Sequence, residues 1–199
     1  MSIKGLFLLL FLLLLNLNLH SEDYDFIEYE LSTNSNIVEV EFFNKFSGIM
    51  VTESAEIFYT TNGGKDWTLS DFKIDFTPKA LAYSVSGEAV IIGSKSTIIK
   101  SYDYGENWLI MQYDKNSEVI LNTIISKTPF EYFITQEGTR NIYYSVDGLQ
   151  SISLTSLNGE SGQYKTYPNL LSRSDEQIYC AGNRAFERTN NGTDYWNEG

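Results

Sequence analysis

The sequence Thr-Thr-Asn-Gly-Gly-Lys-Asp-Trp at residues 60–67 returns as Ser-Tyr-Asp-Tyr-Gly-Glu-Asn-Trp at residues 101–108, so the two segments start 41 residues apart. Both follow one pattern: Ser or Thr, any residue, Asp or Asn, any residue, Gly, two residues of any kind, and then Trp. A pattern that recurs with a period of roughly 20 to 50 residues predicts an architecture in which each repeat is one structural unit.

Two weaker copies continue the series at residues 145–152 and 189–196, each 44 residues after its predecessor. The third copy has Leu149 at the Gly position and Ile152 at the Trp position, and the fourth has Thr193 at the Gly position. In both copies a glycine stands one position earlier, so a residue suited to positive φ is still present. The sequence therefore predicts four related modules.

The residue types of this pattern are those of a capped turn. An Asp or Asn side chain can accept backbone N–H groups across a tight turn, a Ser or Thr hydroxyl adds a second local bond, and Gly adopts the left-handed conformation. The aromatic residue is expected to pack beneath its own hairpin. More than 40 residues separate successive copies, so we predict turn caps, with no metal site and no cofactor. The residues assigned to these turns are Thr60, Asn62, Gly64, Trp67, Ser101, Asp103, Gly105, Trp108, Ser145, Asp147, Thr189, Asn191 and Trp196.

The pattern resembles the Asp-box, also called the BNR repeat, over essentially all of residues 22–199. The resemblance implies an all-β fold, a β-propeller with four Asp-box blades. Two alternatives stay open: a complete four-bladed ring, or part of a larger propeller. Asp-box propellers usually have more than four blades, which favours the second. The last blade is predicted to lack its fourth strand, because the chain stops three residues after Trp196.

Residues 1–21 have the pattern of a signal peptide. Lys4 supplies a positive charge, residues 5–15 form an apolar run, and a polar stretch follows up to Ser21. An uncleaved anchor is the alternative, but the run of 11 residues is short of the roughly 20 that span a bilayer. We therefore predict that the chain is located in the lumen of the secretory pathway or outside the cell, with no other membrane insertion.

Charge and composition narrow the classes of partner and chemistry. The formal net charge is −12 and the pI is about 4.4, which argues against nucleic acid and anionic lipid as partners. The acidic residues are dispersed, which is typical of a solvated surface, with attraction of a cationic peptide as the alternative. The single histidine, His20, lies in the predicted signal region. If His20 is removed with the signal peptide, the folded chain contains no histidine, which would exclude Ser/His/Asp catalysis. Cys180 is the only cysteine.

Among known families, the chain most resembles the amino-terminal part of the lumenal domain of sortilin-type vacuolar and lysosomal sorting receptors. The shared features are a signal peptide, an acidic strand after it, and Asp-box blades that start at once. This resemblance implies a non-catalytic propeller that binds a polypeptide ligand or cargo protein. Propellers of the photosystem II assembly factor type resemble the repeat equally well and are the alternative.

A sialidase-like glycoside hydrolase is the less favoured alternative. Sialidases clamp the substrate carboxylate with several arginines. Here the arginines are Arg140, Arg173, Arg184 and Arg188, all in the second half of the chain, and the arginine-bearing motif of the first sialidase blade is missing. We therefore predict that the protein is not an enzyme. Asn191 begins an Asn-Gly-Thr sequon and is a candidate glycosylation site.

Overall fold

The structure, a computed structural model, describes residues 31–139, 141–156, 168–173, 177–182, 185–189 and 197–198. These residues belong to one compact unit that spans Leu31–Gly199. Within the described ranges no helix is long and apolar enough to cross a membrane. The predicted signal peptide, residues 1–21, lies outside the described residues.

The described residues form sixteen β-strands arranged in four sheets of four strands each, which we call blades 1 to 4. Blade 1 contains β1 (Ile37–Phe42), β2 (Gly48–Thr52), β3 (Ile57–Thr60) and β4 (Thr68–Leu69). Blade 2 contains β5 (Pro78–Tyr83), β6 (Ala89–Gly93), β7 (Thr97–Ser101) and β8 (Leu109–Gln112). Blade 3 contains β9 (Leu121–Ser126), β10 (Tyr132–Gln136), β11 (Asn141–Ser145) and β12 (Ser153–Ser156). Blade 4 contains β13 (Pro168–Arg173), β14 (Ile178–Gly182), β15 (Ala185–Thr189) and β16 (Asn197–Glu198).

In each blade the four strands follow one another in chain order, and every neighbouring pair is antiparallel. The all-β prediction is therefore confirmed for the described residues. The first strands of successive blades pack side by side: β1 against β5, β5 against β9, and β9 against β13. Among the described strands, β13 has no comparable packing against β1. The total number of blades in the ring stays a prediction.

The hydrophobic core lies between the blades, because the middle strands are apolar on both faces. In β6 all five residues are buried. Ile91 packs into a core shared with blade 1, whereas its neighbours Val90 and Ile92 pack into a core shared with blade 3. A third core joins blades 3 and 4 through Phe133 and Ile178, among others. The alternation of side chains along each strand thus stacks the blades face to face.

Blade 4 has a fourth strand, contrary to the prediction. The two residues of β16 (Asn197–Glu198) pair with Arg188 and Glu187 of β15. The outer strands of the other blades are also short, with two residues in β4 and four in β8. A pair of residues after the box aromatic is therefore enough to close a blade.

Candidate functional site

The first three Asp-box turns share one set of hydrogen bonds. In each turn the hydroxyl oxygen of the first residue accepts the backbone N–H of the fifth. The donor and acceptor are 3.0 Å apart for Gly64 and Thr60, 2.8 Å for Gly105 and Ser101, and 2.9 Å for Leu149 and Ser145. The same hydroxyl donates to the Asp or Asn at position three. The third copy therefore keeps the turn although it lacks glycine at position five.

The Asp or Asn at position three caps the other side of the turn. Asn62 Oδ1, Asp103 Oδ1 and Asp147 Oδ1 each accept the backbone N–H of position seven at 2.9–3.0 Å. Hydrogen bonds from Ser151 and Ser145 lower the pKa of Asp147 to about 2. At Asp103, burial acts in the opposite direction and favours a higher pKa, but hydrogen bonds from Asn107 and Ser101 outweigh it, so the pKa of Asp103 is also lowered. Both carboxylates are therefore charged at neutral pH and are occupied within their own turns.

Positions four and five of each turn have positive φ. The φ values are 77° and 83° at Gly63 and Gly64, 59° and 98° at Tyr104 and Gly105, and 76° and 74° at Gly148 and Leu149. A left-handed non-glycine residue is uncommon and strained. In the third turn the Leu149 side chain is buried in the core between blades 2 and 3, which offsets the strain.

The box tryptophans lie against their own turns, since Trp108 Nε1 donates to Gly105 O and the Trp67 ring lies beside Gly64, but the aromatic position also packs towards the preceding blade. Trp108 of blade 2 lies in the core shared with blade 1, and Ile152 of blade 3 packs on the core shared with blade 2. Trp67 of blade 1 is only partly buried and meets Phe42 edge to face at 5.9 Å between ring centroids. An Asp-box therefore fastens its blade to the preceding one as well as closing its own hairpin.

We expect Gly105→Ala to destabilise the protein by about 1–3 kcal/mol, because a Cβ would lie 2.7 Å from Ile49 Cγ1 of blade 1. Gly138→Ala is the matched control: Gly138 also has positive φ, but a Cβ there would meet nothing within 4 Å. Urea denaturation of both variants measures the difference. Equal losses would mean that backbone strain alone sets the effect and that the turn does not press on blade 1.

The predicted turn residues do not come together in one site, because each turn belongs to a separate blade. Of the fourth copy, the structure describes only the backbone of Thr189, in β15; Asn191 and Trp196 lie outside the described residues. Over the described ranges, no group of three or more His, Cys, Asp or Glu is arranged to hold a metal ion. A candidate site must therefore be sought elsewhere on the blades.

One end of the blades carries a set of exposed apolar side chains. The loops between the first and second strands and the box turns between the third and fourth strands lie at this end, because neighbouring strands are antiparallel. Backbone bonds join the two kinds of loop: Gly63 N–H donates to Phe46 O at 2.8 Å, and Gly148 N–H donates to Phe130 O at 3.0 Å. We call this end the rim, defined by residues 43–47, 60–67, 84–88, 101–108, 127–131 and 145–152.

Six large apolar residues of the rim are exposed over blades 1 to 3. Phe46 exposes 53% of its surface, Tyr102 55% and Phe130 62%. The complete set is Phe46, Val85, Tyr102, Tyr104, Phe130 and Val146. Exposed apolar side chains grouped on one surface mark an interaction site more often than singly scattered ones do. The rim is therefore the candidate functional site.

Contacts between blades make the rim continuous. At the junction of blades 1 and 2, Phe43 packs against Tyr83 at 5.7 Å and against Tyr104 at 5.5 Å between ring centroids. At the junction of blades 2 and 3, Lys100 Nζ donates to Gly148 O in the third box turn at 3.2 Å. The rim segments of three blades are thus joined to one another.

Below the second junction lies a buried polar network. Lys100 Nζ is 3.4 Å from Glu88 Oε2 and lies over the rings of Tyr102 and Tyr132, at 4.8 and 5.2 Å from the centroids. Glu88 Oε2 also accepts from the Ser84 hydroxyl at 3.2 Å. Burial raises the pKa of the Tyr132 hydroxyl, which donates to Glu88 Oε2 at 3.4 Å. Lysine is almost never fully buried unless it is paired, so this network ties blade 2 to blade 3.

Below the first junction lies a pair of carboxylates from β1. Glu39 Oε2 accepts the backbone N–H of Leu81 at 2.6 Å, and Glu41 Oε2 accepts that of Tyr83 at 3.0 Å. Both donors lie on the edge of β5 that β6 leaves unpaired. Partial burial raises the pKa of Glu39. Burial and the nearby Glu39 charge raise the pKa of Glu41 to about 7.

We expect Glu41 to make stability fall between about pH 5 and pH 7. The pKa of Glu41 is higher in the folded protein than its ordinary 4.5, so the folded state binds the proton more tightly and loses that advantage as the pH rises. Allowing for partial exposure, the loss is about 1–2 kcal/mol. Urea midpoints at pH 5 and pH 8 measure it, and most of the loss should disappear in Glu41→Gln, which keeps an oxygen acceptor for Tyr83 N–H and leaves only Glu39 with a raised pKa. The same loss in both proteins would contradict this account.

Comparison with known proteins assigns the family. The family model described as photosynthesis system II assembly factor YCF48 matches residues 19–151. The chain belongs to this family. The structure of YCF48 bound to a D1 peptide has a TM-score of 0.66 and 18% identity, with 88% of this chain and 57% of that chain covered. YCF48 from Cyanidioschyzon merolae also has a TM-score of 0.66 and 18% identity, with 85% and 57% covered.

A glycoside hydrolase of family GH74 from Niastella koreensis has a TM-score of 0.56 and 18% identity, with 76% of this chain and 22% of that chain covered. At these identities the likeness shows the β-propeller fold alone. The chain spans 57% of the length of the two YCF48 structures. Among curated proteins, none matches the chain.

The family corrects one prediction. A location in the lumen of the secretory pathway or outside the cell is wrong, because the matched family is that of photosystem II assembly factors and not of secretory-pathway receptors. The sortilin-type resemblance is likewise not supported at the level of the family. The candidate glycosylation of Asn191 depended on that location.

Some residues outside the Asp-box pattern already indicate the rim and the buried network in the sequence. Phe46 and Phe130 are large apolar residues inside turn segments, Asn-Lys-Phe-Ser and Thr-Pro-Phe-Glu, where polar residues are usual. Lys100 ends an apolar run, Thr-Ile-Ile-Lys, in which an unpaired charge would be unfavourable. Glu39 and Glu41 alternate with Val38 and Val40 in β1, a pattern that is typical of a half-buried strand and does not indicate a bridge to the next blade.

Proposed function

We propose that this protein is a non-catalytic, polypeptide-binding scaffold that holds unassembled protein segments on its rim, as an assembly factor does. The single observation that carries the proposal is the set of exposed apolar side chains that three blades present at one end. Family membership supports it, and so does the YCF48 neighbour that was solved with a D1 peptide.

A surface of this kind suits extended polypeptides better than small substrates. Exposed Phe and Tyr side chains offer large contact areas with few rotatable bonds, so that little conformational entropy is lost on binding. The rim residues lie on loops held by capped turns and by the buried Lys100 network. A rigid frame with apolar projections can hold an apolar segment without catalysing a reaction.

Site-specific photo-crosslinking tests the scaffold role. A benzophenone amino acid placed at Phe46 or Phe130 should crosslink to bound polypeptides in the cells that make the protein. The same probe at Ile37 or Val40 is the matched control, because these residues are similarly exposed, at 54% and 47%, but lie within β1, outside the rim segments. Equal crosslinking at both sets would contradict a role for the rim.

The D1 peptide of the neighbouring complex tests the narrower role in photosystem II assembly. We expect the full chain to bind that peptide, and the triple substitution Phe46→Ser, Tyr102→Ser and Phe130→Ser to abolish binding in fluorescence anisotropy. Rim-specific crosslinks to other proteins without D1 binding would retain the scaffold and remove photosystem II as its target. A sortilin-type cargo receptor has no observation in its favour beyond the sequence features that suggested it.

A further inference from the structure

The carboxylate pair below the rim carries an inference about the partner, which rests on the proposed function. Glu39 and Glu41 lie side by side on β1, half-buried, and neither is in an ion pair among the described residues. Two carboxylates that are partly removed from water without a cation repel each other and lose solvation. A positive group from a ligand would relieve both effects.

The pair lies next to the exposed surface. Glu41 binds the backbone N–H of Tyr83, whose ring packs against Phe43, and Phe43 packs against the rim residue Tyr104. The bonds to the backbone use Oε2 of each carboxylate, so the second oxygen can accept from an ammonium or guanidinium group.

Charge on the rest of the molecule favours the same partner. The rim segments contain six acidic residues and three lysines, and the whole chain has a net charge of −12. Such a field attracts a cationic segment at long range and repels an acidic one.

We propose that the rim binds a polypeptide segment in which Lys or Arg lies beside aromatic or aliphatic residues, with the cationic group against Glu39 and Glu41. The apolar side chains of the segment then pack on Phe46, Tyr102 and Phe130. A segment of this composition consists of an apolar stretch with basic residues next to it in the sequence of an unassembled polypeptide.

Selection from random dodecapeptides displayed on phage, with the full chain immobilised, tests the inference. Peptides enriched on the unmodified chain should contain Lys or Arg next to apolar residues. On the acid variant, Glu39→Gln with Glu41→Gln, the apolar preference should persist and the cationic preference should vanish. Glutamine keeps an oxygen acceptor for Leu81 and Tyr83, and circular dichroism melts verify that the variant is folded.

A peptide enriched in this selection is then used to measure how much the two carboxylates contribute to binding. Its affinity should fall about tenfold in the acid variant, the range of one charge-assisted hydrogen bond, and should strengthen as the pH rises from 6 to 8. Glu39 raises the pKa of Glu41, and the Glu41 charge together with Tyr104 raises the pKa of the Tyr83 hydroxyl. Glu41 is the group expected to change charge in that range. The pH dependence should be absent in the acid variant.

The outcomes separate the two proposals. Enrichment of apolar peptides without Lys or Arg would overturn the cationic partner and leave the scaffold standing. Equal enrichment on the unmodified chain and on the rim variant, Phe46→Ser with Tyr102→Ser and Phe130→Ser, would overturn both. The matched control, Leu69→Ser with Leu109→Ser and Leu154→Ser, removes exposed apolar residues of the outer strands and should leave the selection unchanged.

Discussion

Replacing Lys100 with Ala is expected to lower the free energy of unfolding by about 3–5 kcal/mol, the usual loss when one partner of a buried ion pair is removed. The side chain of Lys100 is 2% exposed and that of Glu88 is 20% exposed. Without Lys100, the partly buried Glu88 side chain loses its ion-pair partner and Gly148 O loses a donor. Both effects oppose folding.

Chemical denaturation of Lys100→Ala measures this loss, and Lys95→Ala is the matched control. Lys95 also forms an ion pair, with Asp75, but the Asp75 side chain is 90% exposed, so we expect a change within about 0.5 kcal/mol. The double variant Lys100→Met with Glu88→Gln should regain much of the stability, because it removes both charges. A loss in Lys100→Ala no larger than in Lys95→Ala would show that the network does not join the blades.

The same network connects stability with the proposed function. Lys100 donates to the third box turn, which positions Phe130 through the bond from Gly148. Loss of Lys100 is therefore expected to disturb the rim between blades 2 and 3 as well as the core. Peptide binding should weaken more in Lys100→Ala than in Gly138→Ala, where only the backbone is strained.

The architecture could be predicted because its signal is local. An Asp-box turn is specified by a few residues close in sequence, such as Ser101, Asp103 and Gly105, and its hydrogen bonds join residues two to four positions apart. The recurrence of that local unit indicates the repeat. The third turn shows the limit of the pattern, because Leu149 adopts the same φ as glycine where its side chain is needed in the core.

The candidate site could not be predicted because it depends on contacts between blades. Glu39 and Leu81 are 42 residues apart, and Lys100 and Gly148 are 48 residues apart. No local pattern relates such residues, and each looks like an ordinary strand residue alone. The packing of Trp108 towards the preceding blade could not be predicted for the same reason. The repeat pattern places Trp108 in its own turn, but nothing in the sequence connects it with Ile49 of blade 1.

Because Trp108 packs between two blades, Trp108→Ala is expected to have the second large effect on the free energy of unfolding. We expect a loss of about 3–5 kcal/mol, as for other buried aromatic residues. Trp108 is 6% exposed, packs in the core between blades 1 and 2, and donates from Nε1 to Gly105 O at 3.0 Å. The substitution opens a cavity between the blades and removes a bond that holds the second box turn.

Trp67→Ala is the matched control, because Trp67 has the same position in the first box turn. It is only partly buried and packs against the exposed residue Phe42, so we expect about half the loss of Trp108→Ala, since less apolar surface leaves water on folding. Thermal melts and urea midpoints of the two variants provide the comparison. Equal losses would indicate that each tryptophan stabilises mainly its own hairpin, and the proposal that an Asp-box fastens one blade to the preceding one would then be wrong.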